Sequence, residues 1–497
     1  MYGNGVTERP ACLSVVSCQA DVMGIRGNRY VTLAVLVLVH TVTYMDRYTL
    51  AGVLTLTQEY FGIDNTLIGL VQTVFVLSLT VLSPLFGYLG DRYDRRCIMA
   101  VGVSLAAGVT LAGSFVDKQD FWLFMTSRTL VGIGEASFST VAPTIITDLY
   151  VDGQRSLALA IFYLCIPVGS GLGYIVGSKV AHLAGDQWQW AFRVTPGLGM
   201  VSVFLFFLLL GKPNRGQAEG YTGEATGWFQ DLKEICKVWS CMWTLIASSL
   251  VTFSAGAVAF WFPTMLYAAL QARGVNADIT RISLIFGIFT CVAGIVGVIA
   301  GAEIARRYRP VNPRSDALVT GGFMILSAPL LYVAVYLAGT HTVSMWAVFF
   351  VSEILMCTNF SLQTDMILSV VSPTRRSTAD ALMIIFSHLF GDASSPYVVG
   401  AISDGVTNAL NTGVGPQSSV AIRAVSLQYA IYCLCFVSVL AGGAFLIAGI
   451  TLEDDRARVQ AFCQGYSEIK VNESEPDDPT LNGVVSPVSN SAVSSPR

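Results

Sequence analysis

Seven ionisable side chains lie inside long apolar segments of this chain, where they could bind an anion and carry a proton. They are Asp46, Arg47, Arg128, Glu135, Glu353, His388 and Asp392. A charge inside a bilayer costs about 2.5–3.5 kcal/mol on insertion scales, so such residues are rare and usually functional. Guanidinium groups bind phosphate, and carboxylates beside them can exchange a proton. We therefore interpret these seven residues as the candidate site.

Two of these charges are predicted to meet. A helix rises about 1.5 Å per residue, which places Asp46 about 24 Å from the start of its apolar segment. Arg128 lies about 10 Å from the start of a segment that runs in the opposite direction. Their heights nearly match, so Asp46 can pair with Arg128, and Glu135 follows two turns later on the same helix face as Arg128.

This arrangement has two interpretations. A substrate phosphate that bound the arginine would take it from the carboxylate, which would then accept a proton more readily in apolar surroundings. Proton and substrate binding would in that case be linked. The alternative is a static buried ion network of Asp46, Arg47, Arg128 and Glu135 that only fixes the packing of the helices.

The remaining three residues are weaker candidates. Glu353 lies about 14 Å into its segment, close to the bilayer midplane. His388 and Asp392 are one helical turn apart and could relay a proton, although hydrogen bonding between helices is the alternative. A metal site needs about three protein ligands, so this pair predicts none.

The composition identifies the elements that position these residues. The 497-residue chain is 53% hydrophobic and only 12% charged, and its mean hydropathy is +0.61. About 20 continuously apolar residues cross a bilayer as a helix, so we predict an all-α polytopic membrane protein with twelve spans. Spans 1 to 12 are predicted at 30–55, 66–90, 97–116, 121–149, 155–182, 190–211, 239–270, 281–304, 315–338, 344–371, 376–405 and 421–450.

The distribution of basic residues predicts the orientation. Short cytoplasmic loops carry an excess of Lys and Arg, and the loops after spans 2, 8 and 10 are rich in arginine whereas residues 56–65 and 406–420 have none. Both termini are therefore expected in the cytosol. We divide the chain into a cytosolic segment 1–29, a six-helix bundle 30–211, a cytosolic linker 212–238, a second six-helix bundle 239–450 and a disordered cytosolic tail 451–497.

Two repeats indicate that the second bundle duplicates the first. "GYLGDRYDRR" (Gly87 to Arg96) ends span 2, and "GAEIARRYRP" (Gly301 to Pro310) ends span 8. Both "TIITDLYVDGQRS" (144–156) and "SLQTDMILSVVSPTRRST" (361–378) place Thr-Asp at a span end shortly before Arg-Ser. Two pseudo-symmetric bundles with a site between them are typical of transporters.

Other function classes have less support. No P-loop, H-E-x-x-H or G-x-S-x-G pattern occurs in the sequence, so we expect no enzyme, no metal and no cofactor. Two alternatives stay open: a lipid-modifying membrane enzyme with His388 and Asp392 as acid and base, and a non-transporting lipid receptor or scaffold. We expect no nucleic-acid partner.

Several strings resemble the spinster branch of the major facilitator superfamily. The Gly87 to Arg96 string resembles the superfamily's loop between spans 2 and 3. "YMDRYTLAGVL" (44–54), "RTLVGIGEASFSTVAPTIITDLY" (128–150) and "PTRRSTADALMIIFSHLFGDASSPYVVGAISD" (373–404) resemble the branch. The second-half loop departs from the superfamily pattern at Glu303 and Ala305, which leaves the symmetry of the gate open.

The resemblance implies a proton-linked carrier of lysophospholipids or sphingosine-1-phosphate that works as a monomer. It implies that Arg47 and Arg128 bind the headgroup and that Asp46 and Glu135 are their acidic partners. It also implies a cytosolic gate formed by Gly87, Asp91, Arg92 and Arg95, with Asp91 holding the end of a neighbouring span, and a lysosomal or plasma membrane location. "YSEI" (Tyr466 to Ile469) has the spacing of a sorting signal, although such tetrapeptides often arise by chance.

Overall fold

The computed structural model describes residues 28–150, 152–209, 228–372, 375–410 and 416–474, and these are helical apart from short connections. Numbered as predicted, spans 1 to 4 are Arg29–Gly52, Asn65–Arg92, Arg95–Gly113 and Phe121–Leu149. Span 5 is Asp152–Tyr163 with Cys165–Leu183, and span 6 is Ala191–Leu209. Spans 7 to 9 are Trp239–Gln271, Ile279–Tyr308 and Ser315–Leu337. Span 10 is Thr342–Cys357 with Asn359–Val370, span 11 is Arg376–Ser387, His388–Asp392 and Ser395–Leu410, and span 12 is Pro416–Ser474.

Eleven helices in the described part of the chain are long and apolar enough to cross a membrane. Span 1 is the exception because His40, Asp46 and Arg47 lie within it. Its 24 residues nevertheless extend about 36 Å, which exceeds the roughly 30 Å of a hydrocarbon core. The polytopic all-α prediction is confirmed, and the least apolar span is the one that carries two candidate site residues.

The helix contacts of the first half recur in the second. Span 1 contacts spans 5 and 6, span 2 contacts span 4, and span 3 contacts spans 4 and 6. Correspondingly, span 7 contacts spans 11 and 12, span 8 contacts span 10, and span 9 contacts spans 10 and 12. Spans 2 and 5 of the first half contact spans 11 and 8 of the second. This repetition agrees with the duplication read from the sequence.

The two halves meet backbone to backbone at both of these interfaces. A Cβ atom added to Gly171 of span 5 would lie 2.4 Å from the carbonyl oxygen of Gly287 in span 8. A Cβ atom added to Gly69 of span 2 would lie 2.4 Å from the carbonyl oxygen of Pro396 in span 11. Since real Cβ contacts are longer, only glycine permits these approaches.

Hydrogen bonds join the halves at the face that holds the connections between spans 1 and 2 and between spans 11 and 12, here called the opposite face. The carboxylate of Asp404 in span 11 accepts hydrogen bonds from the Thr66 amide (2.6 Å), the Thr66 hydroxyl (2.6 Å) and the Asn65 side chain (2.9 Å). Asn65 in turn accepts from Gln58 (2.9 Å), which accepts from Arg423 of span 12 (2.9 Å). The Thr66 amide in the first turn of span 2 is thus bound by a carboxylate of the other half, while Asp64 caps the same helix through the Leu67 amide.

The face with the arginine-rich loops, here called the basic face, has matching ion pairs within each half. Arg95 of span 3 lies 2.5 Å from Asp148 at the end of span 4. Arg309, after span 8, lies 3.1 Å from Asp365 at the end of span 10 and 2.9 Å from Asp316. Asp148 and Asp365 are the aspartates of the two Thr-Asp repeats, so this pairing is repeated despite the departures at residues 303 and 305.

Four predicted boundaries need correction. Residues 87–92 and 301–308 form the last turns of spans 2 and 8 and not loops, because neither stretch contains a proline that would end the helix. The predicted linker 212–238 contains a helix at Trp228–Ile235, whose Asp231 pairs with Arg375 at 2.9 Å. Span 12 continues to Ser474, so residues 451–474 are helical and not disordered, with Arg456 bonded to Asp316 at 2.5 Å near the start of the extension.

Candidate functional site

The Asp46–Arg128 pair predicted from helix depth is present. The Nη1 atom of Arg128 lies 3.4 Å from Oδ2 of Asp46, and the arginine is only 1% exposed. Thr110 of span 3 donates to the same oxygen at 3.3 Å, and Thr195 of span 6 donates to Oδ1 at 2.5 Å. Asp46 therefore connects spans 1, 3, 4 and 6, and each of its oxygens already accepts a hydrogen bond.

Arg47 reaches across to the other half. Its Nη2 atom lies 3.6 Å from Oδ2 of Asp392 in span 11, and the arginine is 4% exposed. The other oxygen of Asp392 lies 2.9 Å from Nδ1 of His388. The sequence treated His388 and Asp392 as a separate pair, whereas the structure brings them into the same cluster as Arg47.

Span 11 is irregular where it joins this cluster. Residues His388–Asp392 form a single wide helical turn, and Gly391 has non-helical backbone angles (φ −99°, ψ −105°). Such turns interrupt the regular backbone hydrogen bonding and often occur at functional sites. The hydroxyl of Thr73 in span 2 donates to the carbonyl of Ala393 just beyond it, at 2.5 Å. Near this irregular turn, Asp392 thus forms an ion pair with the first half and Ala393 accepts a hydrogen bond from it.

Glu135 is buried among these charges without a direct partner. It is 5% exposed, and no hydrogen bond or ion pair reaches its carboxylate from the described residues. It interacts electrostatically with Arg47, Asp46 and Arg128. Glu135 is therefore the carboxylate of the cluster that can gain a proton without breaking a hydrogen bond.

One aromatic ring lies between the two arginines. The Phe75 ring centroid is 5.3 Å from the guanidinium carbon of Arg47 and 5.0 Å from that of Arg128. Phe75 is fully buried, and guanidinium groups bind favourably to aromatic rings when both are removed from water. Phe192 and Tyr44 add one further ring contact to Arg128 and Arg47 respectively.

Both arginines retain unused donors. The Nε and Nη2 atoms of Arg47 and of Arg128 are buried and make no hydrogen bond to a described residue, but Nη2 of Arg47 forms the 3.6 Å ion pair with Asp392. A buried unsatisfied donor costs about 1–3 kcal/mol, and more when it is charged. The three donors left over, Nε of Arg47 and Nε and Nη2 of Arg128, fit the binding of an anion such as phosphate, which arginine contacts in a bidentate manner.

Glu353 is not part of this cluster. It is buried in span 10, where it interacts electrostatically with Tyr174 and Cys357, and no ion pair reaches it from the described residues. The hydroxyl of Tyr174 is also buried without a hydrogen-bond partner in that part of the chain. Glu353 occupies the second-half span that corresponds to the span of Glu135, but it lacks the arginine neighbours.

The predicted gate residues lie at the basic face. Arg95 also donates to the Gly90 carbonyl at 3.2 Å, and Arg92 lies over the Tyr88 ring at 4.4 Å. A Cβ atom added to Gly87 would make an ordinary 3.5 Å contact, so no close approach requires a glycine there. The side chain of Asp91 and the side chains of the Tyr466 to Ile469 tetrapeptide lie outside the described part of the chain.

Sequence reasoning missed three participants: Thr110, Thr195 and Phe75. Threonine and phenylalanine are common in membrane helices, so only the three-dimensional contacts, of the two threonines with Asp46 and of Phe75 with the two arginines, distinguish them. The described residues contain no group of three or more His, Cys, Asp or Glu side chains that could hold a metal ion.

Comparisons with known proteins identify the family. The family model of the Major Facilitator Superfamily matches residues 36–396. Protein spinster homolog 1 of Xenopus tropicalis is 46% identical over 453 residues, covering 89% of this chain and 85% of the relative. The Homo sapiens protein of that name is 44% identical over 450 residues, covering 88% and 84%. Protein spinster of Drosophila melanogaster is 42% identical over 474 residues, covering 86% and 78%.

Solved structures show the same fold. The crystal structure of a bacterial homologue of the human lysosomal transporter spinster, inward-facing and unoccupied, has a TM-score of 0.74 at 19% identity and covers 86% of this chain and 98% of that one. The nucleoside transporter NupG has a TM-score of 0.62 at 15% identity, covering 85% and 99%. No catalytic family is indicated by these matches. The chain belongs to the spinster family of the major facilitator superfamily and is a polytopic membrane transporter.

Proposed function

We propose that this chain is a secondary active transporter that moves a single-chain phospholipid together with a proton by alternating access. The observation that carries the proposal is the pair of buried arginines with unused donors, Arg47 and Arg128, beside the unpartnered carboxylate of Glu135. The lipid class, a lysophospholipid or sphingosine-1-phosphate, is proposed from the family resemblance.

The headgroup phosphate would bind to Nε of Arg47 and to Nε and Nη2 of Arg128, and would take Nη2 of Arg47 from Asp392. Both guanidiniums stay charged at all relevant pH values, so they could bind a phosphate whichever carboxylates of the site are protonated. Binding there would satisfy donors that are otherwise buried without partners, which stabilises the bound complex. Since Arg47 belongs to span 1 and pairs with Asp392 of span 11, an incoming anion would compete with a contact between the halves.

The proton would reside on Glu135 and not on Asp46. A proton on Asp46 would remove the negative charge that accepts hydrogen bonds from Thr195, Thr110 and Arg128, and would weaken all three. A proton on Glu135 weakens no hydrogen bond from a described residue. Asp46 would instead act as a fixed anion that orients Arg128 towards the headgroup.

Charge balance supports the coupling. Three carboxylates, those of Asp46, Glu135 and Asp392, surround two guanidiniums, so with His388 neutral the cluster has one negative charge in excess. An arriving phosphate adds further negative charge in apolar surroundings, where like charges disfavour each other strongly. Protonation of Glu135 relieves part of this repulsion, so headgroup and proton binding favour each other.

Location and assembly follow as proposals. The arginine-rich basic face supports cytosolic termini, and we propose a lysosomal or plasma membrane as the host. One chain supplies all six residues of the cluster, namely Asp46, Arg47, Arg128, Glu135, His388 and Asp392, which supports a functional monomer. Glu353, apart from the cluster, would contribute to the wall of the substrate path in the second half.

The test is transport by purified protein in proteoliposomes with an imposed pH gradient, comparing lysophosphatidylcholine with sphingosine-1-phosphate. We expect gradient-driven flux of at least one lipid, recovered chemically unchanged by mass spectrometry. Glu135→Gln should abolish the response to the gradient while lipid exchange continues, because glutamine mimics the protonated acid. Glu353→Gln is the matched control and should keep the response. Gradient-driven flux that survives in Glu135→Gln would refute the role of Glu135.

A further inference from the structure

A small cavity lies among spans 1, 3, 4 and 6 of the first half, away from the interface between the halves. It has a volume of about 30 Å³, and most of its lining is apolar. Its polar lining consists of the Asp46 and Glu135 carboxylates and the hydroxyl-bearing residues Thr43, Thr110, Thr195 and Ser202.

The cavity has the size and the lining that water requires. One water molecule needs about 10–15 Å³ of such volume and two to four polar partners. The cavity exceeds that volume for a single molecule, and its two carboxylates and four hydroxyl-bearing residues offer enough partners. It is much too small for a lipid headgroup, so its ligand is water or a hydrated proton.

The cavity extends from the site towards the basic face. Asp46 marks one end near mid-membrane, where it accepts hydrogen bonds from Thr110 and Thr195. Ser202 lies seven residues further along span 6, about 10 Å closer to the basic face. Val39 and Val103 line the wall at the corresponding depth of spans 1 and 3.

The arginines that would hold the headgroup do not line this cavity. Glu135 therefore has two sides: it interacts with Arg47 and Arg128 in the cluster, and it borders the cavity. The ionisable groups that face Glu135 are Asp46 and Arg47 from span 1 and Arg128 from its own span, with Tyr44 close by. Spans 3 and 6 present hydroxyls through Thr110 and Thr195.

We propose that water in this cavity carries the proton between Glu135 and the Ser202 end of the cavity, in the direction of the basic face, by a route inside the first half that is separate from the path of the lipid. The inference rests on the proposed function. In the transfer step, the O–H bond of protonated Glu135 breaks and a water oxygen takes the proton, leaving a carboxylate and a hydronium ion. The hydroxyls of Thr43 and Ser202 can orient the water molecules that pass the proton on.

Filling the cavity tests the route. Gly199 lines it on span 6, and a Cβ atom added there would meet Ala107 at an ordinary 3.5 Å, so Gly199→Leu places its side chain in the cavity. Gly197 lies two residues away on the same helix with open space around its Cβ position, and Gly197→Leu is the matched control.

Two assays in proteoliposomes separate the proton from the lipid. The first measures proton uptake driven by added lipid, with an internal pH-sensitive dye. The second measures exchange of labelled for unlabelled lipid at equal pH, in which Glu135 can remain protonated throughout. We expect Gly199→Leu to reduce proton uptake at least about tenfold and to leave exchange within about twofold, whereas Gly197→Leu changes neither.

Normal proton uptake by Gly199→Leu would overturn the route. If that variant loses exchange as well, Ser202→Leu provides the same test at the other end of the cavity, and normal proton uptake there would overturn it too. Different results would refute the proposed coupling and the proposed proton route. Lipid flux without proton uptake in the unaltered protein refutes the proposed coupling, while intact coupling in a variant with a filled cavity refutes only this route.

Discussion

The carboxylate of Asp404 is expected to control how often the halves separate at the opposite face. Asp404→Ala removes three hydrogen bonds, two from Thr66 and one from Asn65. A hydrogen bond to a charged group contributes about 1.5–3 kcal/mol, and an N-cap replaced by alanine costs about 1 kcal/mol. Water replaces part of this loss at a half-buried site, so we take about 2 kcal/mol as the net effect. That amounts to about a thirtyfold shift from the closed towards the separated arrangement.

Spin labels on either side of this face report the shift. Glu59 of the first half and Gly405 of the second are both exposed, and each can be replaced by a labelled cysteine in a variant freed of its native cysteines. We expect pulsed electron resonance in lipid nanodiscs to show a longer-distance population that grows about thirtyfold, relative to the short one, in Asp404→Ala.

A matched control separates loss of a helix cap from loss of the contact between the halves. Asp278 caps span 8 through the Thr280 amide at 2.8 Å, on the same face but within one half. Asp278→Ala should therefore leave the distance distribution unchanged, and Asp404→Asn should give an intermediate effect because its side-chain oxygen still accepts from Thr66. Identical distance distributions for Asp404→Ala and the unaltered protein would refute this reasoning.

Two further predictions concern the cluster. Arg128→Gln leaves Asp46 as a buried charge without its cation and should lower the free energy of unfolding by about 3–5 kcal/mol in detergent. The double variant Asp46→Asn with Arg128→Gln should recover at least half of that loss of stability. Equal melting temperatures of the single and double variants would contradict the pairing. Phe75→Leu removes two guanidinium–ring contacts of about 0.5–2 kcal/mol each. It should raise the half-saturating lipid concentration several-fold with a smaller change in maximal rate, while Phe75→Tyr keeps both near their original values; equal effects of leucine and tyrosine would contradict a role for the ring.

The sequence predicted the features of the site that depend on distance along a helix. Asp46 and Arg128 lie in spans that run in opposite directions, so counting residues was enough to place them at one height. The span boundaries follow the hydropathy of the chain for the same reason, since each crossing needs a fixed apolar length. The end of span 12 could not be predicted in this way, because its extension beyond Thr451 is a polar helix that hydropathy does not distinguish from a coil.

The sequence could not predict contacts that depend on helix rotation or on a local break. Arg47 meets Asp392 only because span 11 changes direction near Gly391, and a single glycine in an apolar run does not reveal that. Thr195 and Thr110 turn towards Asp46 through the mutual rotation of spans 1, 3 and 6, which involves no recognisable motif. Charged residues in membrane segments are rare enough to be found by type, whereas their hydroxyl and aromatic neighbours are found only in three dimensions.

The absence of arginine neighbours around Glu353 in the described part of the chain has a consequence for how cargo preference can change among related proteins. The two halves share their helix contacts but not their charges: Arg47, Arg128 and Glu135, the proposed proton acceptor, lie in spans 1 and 4, and among the described residues the second half contributes only the His388–Asp392 pair to the cluster. Cargo preference can therefore drift through substitutions in spans 7 to 10 without disturbing the ion-coupling machinery. Chimaeras that exchange those four spans between relatives should change their lipid selectivity and keep their proton coupling unchanged.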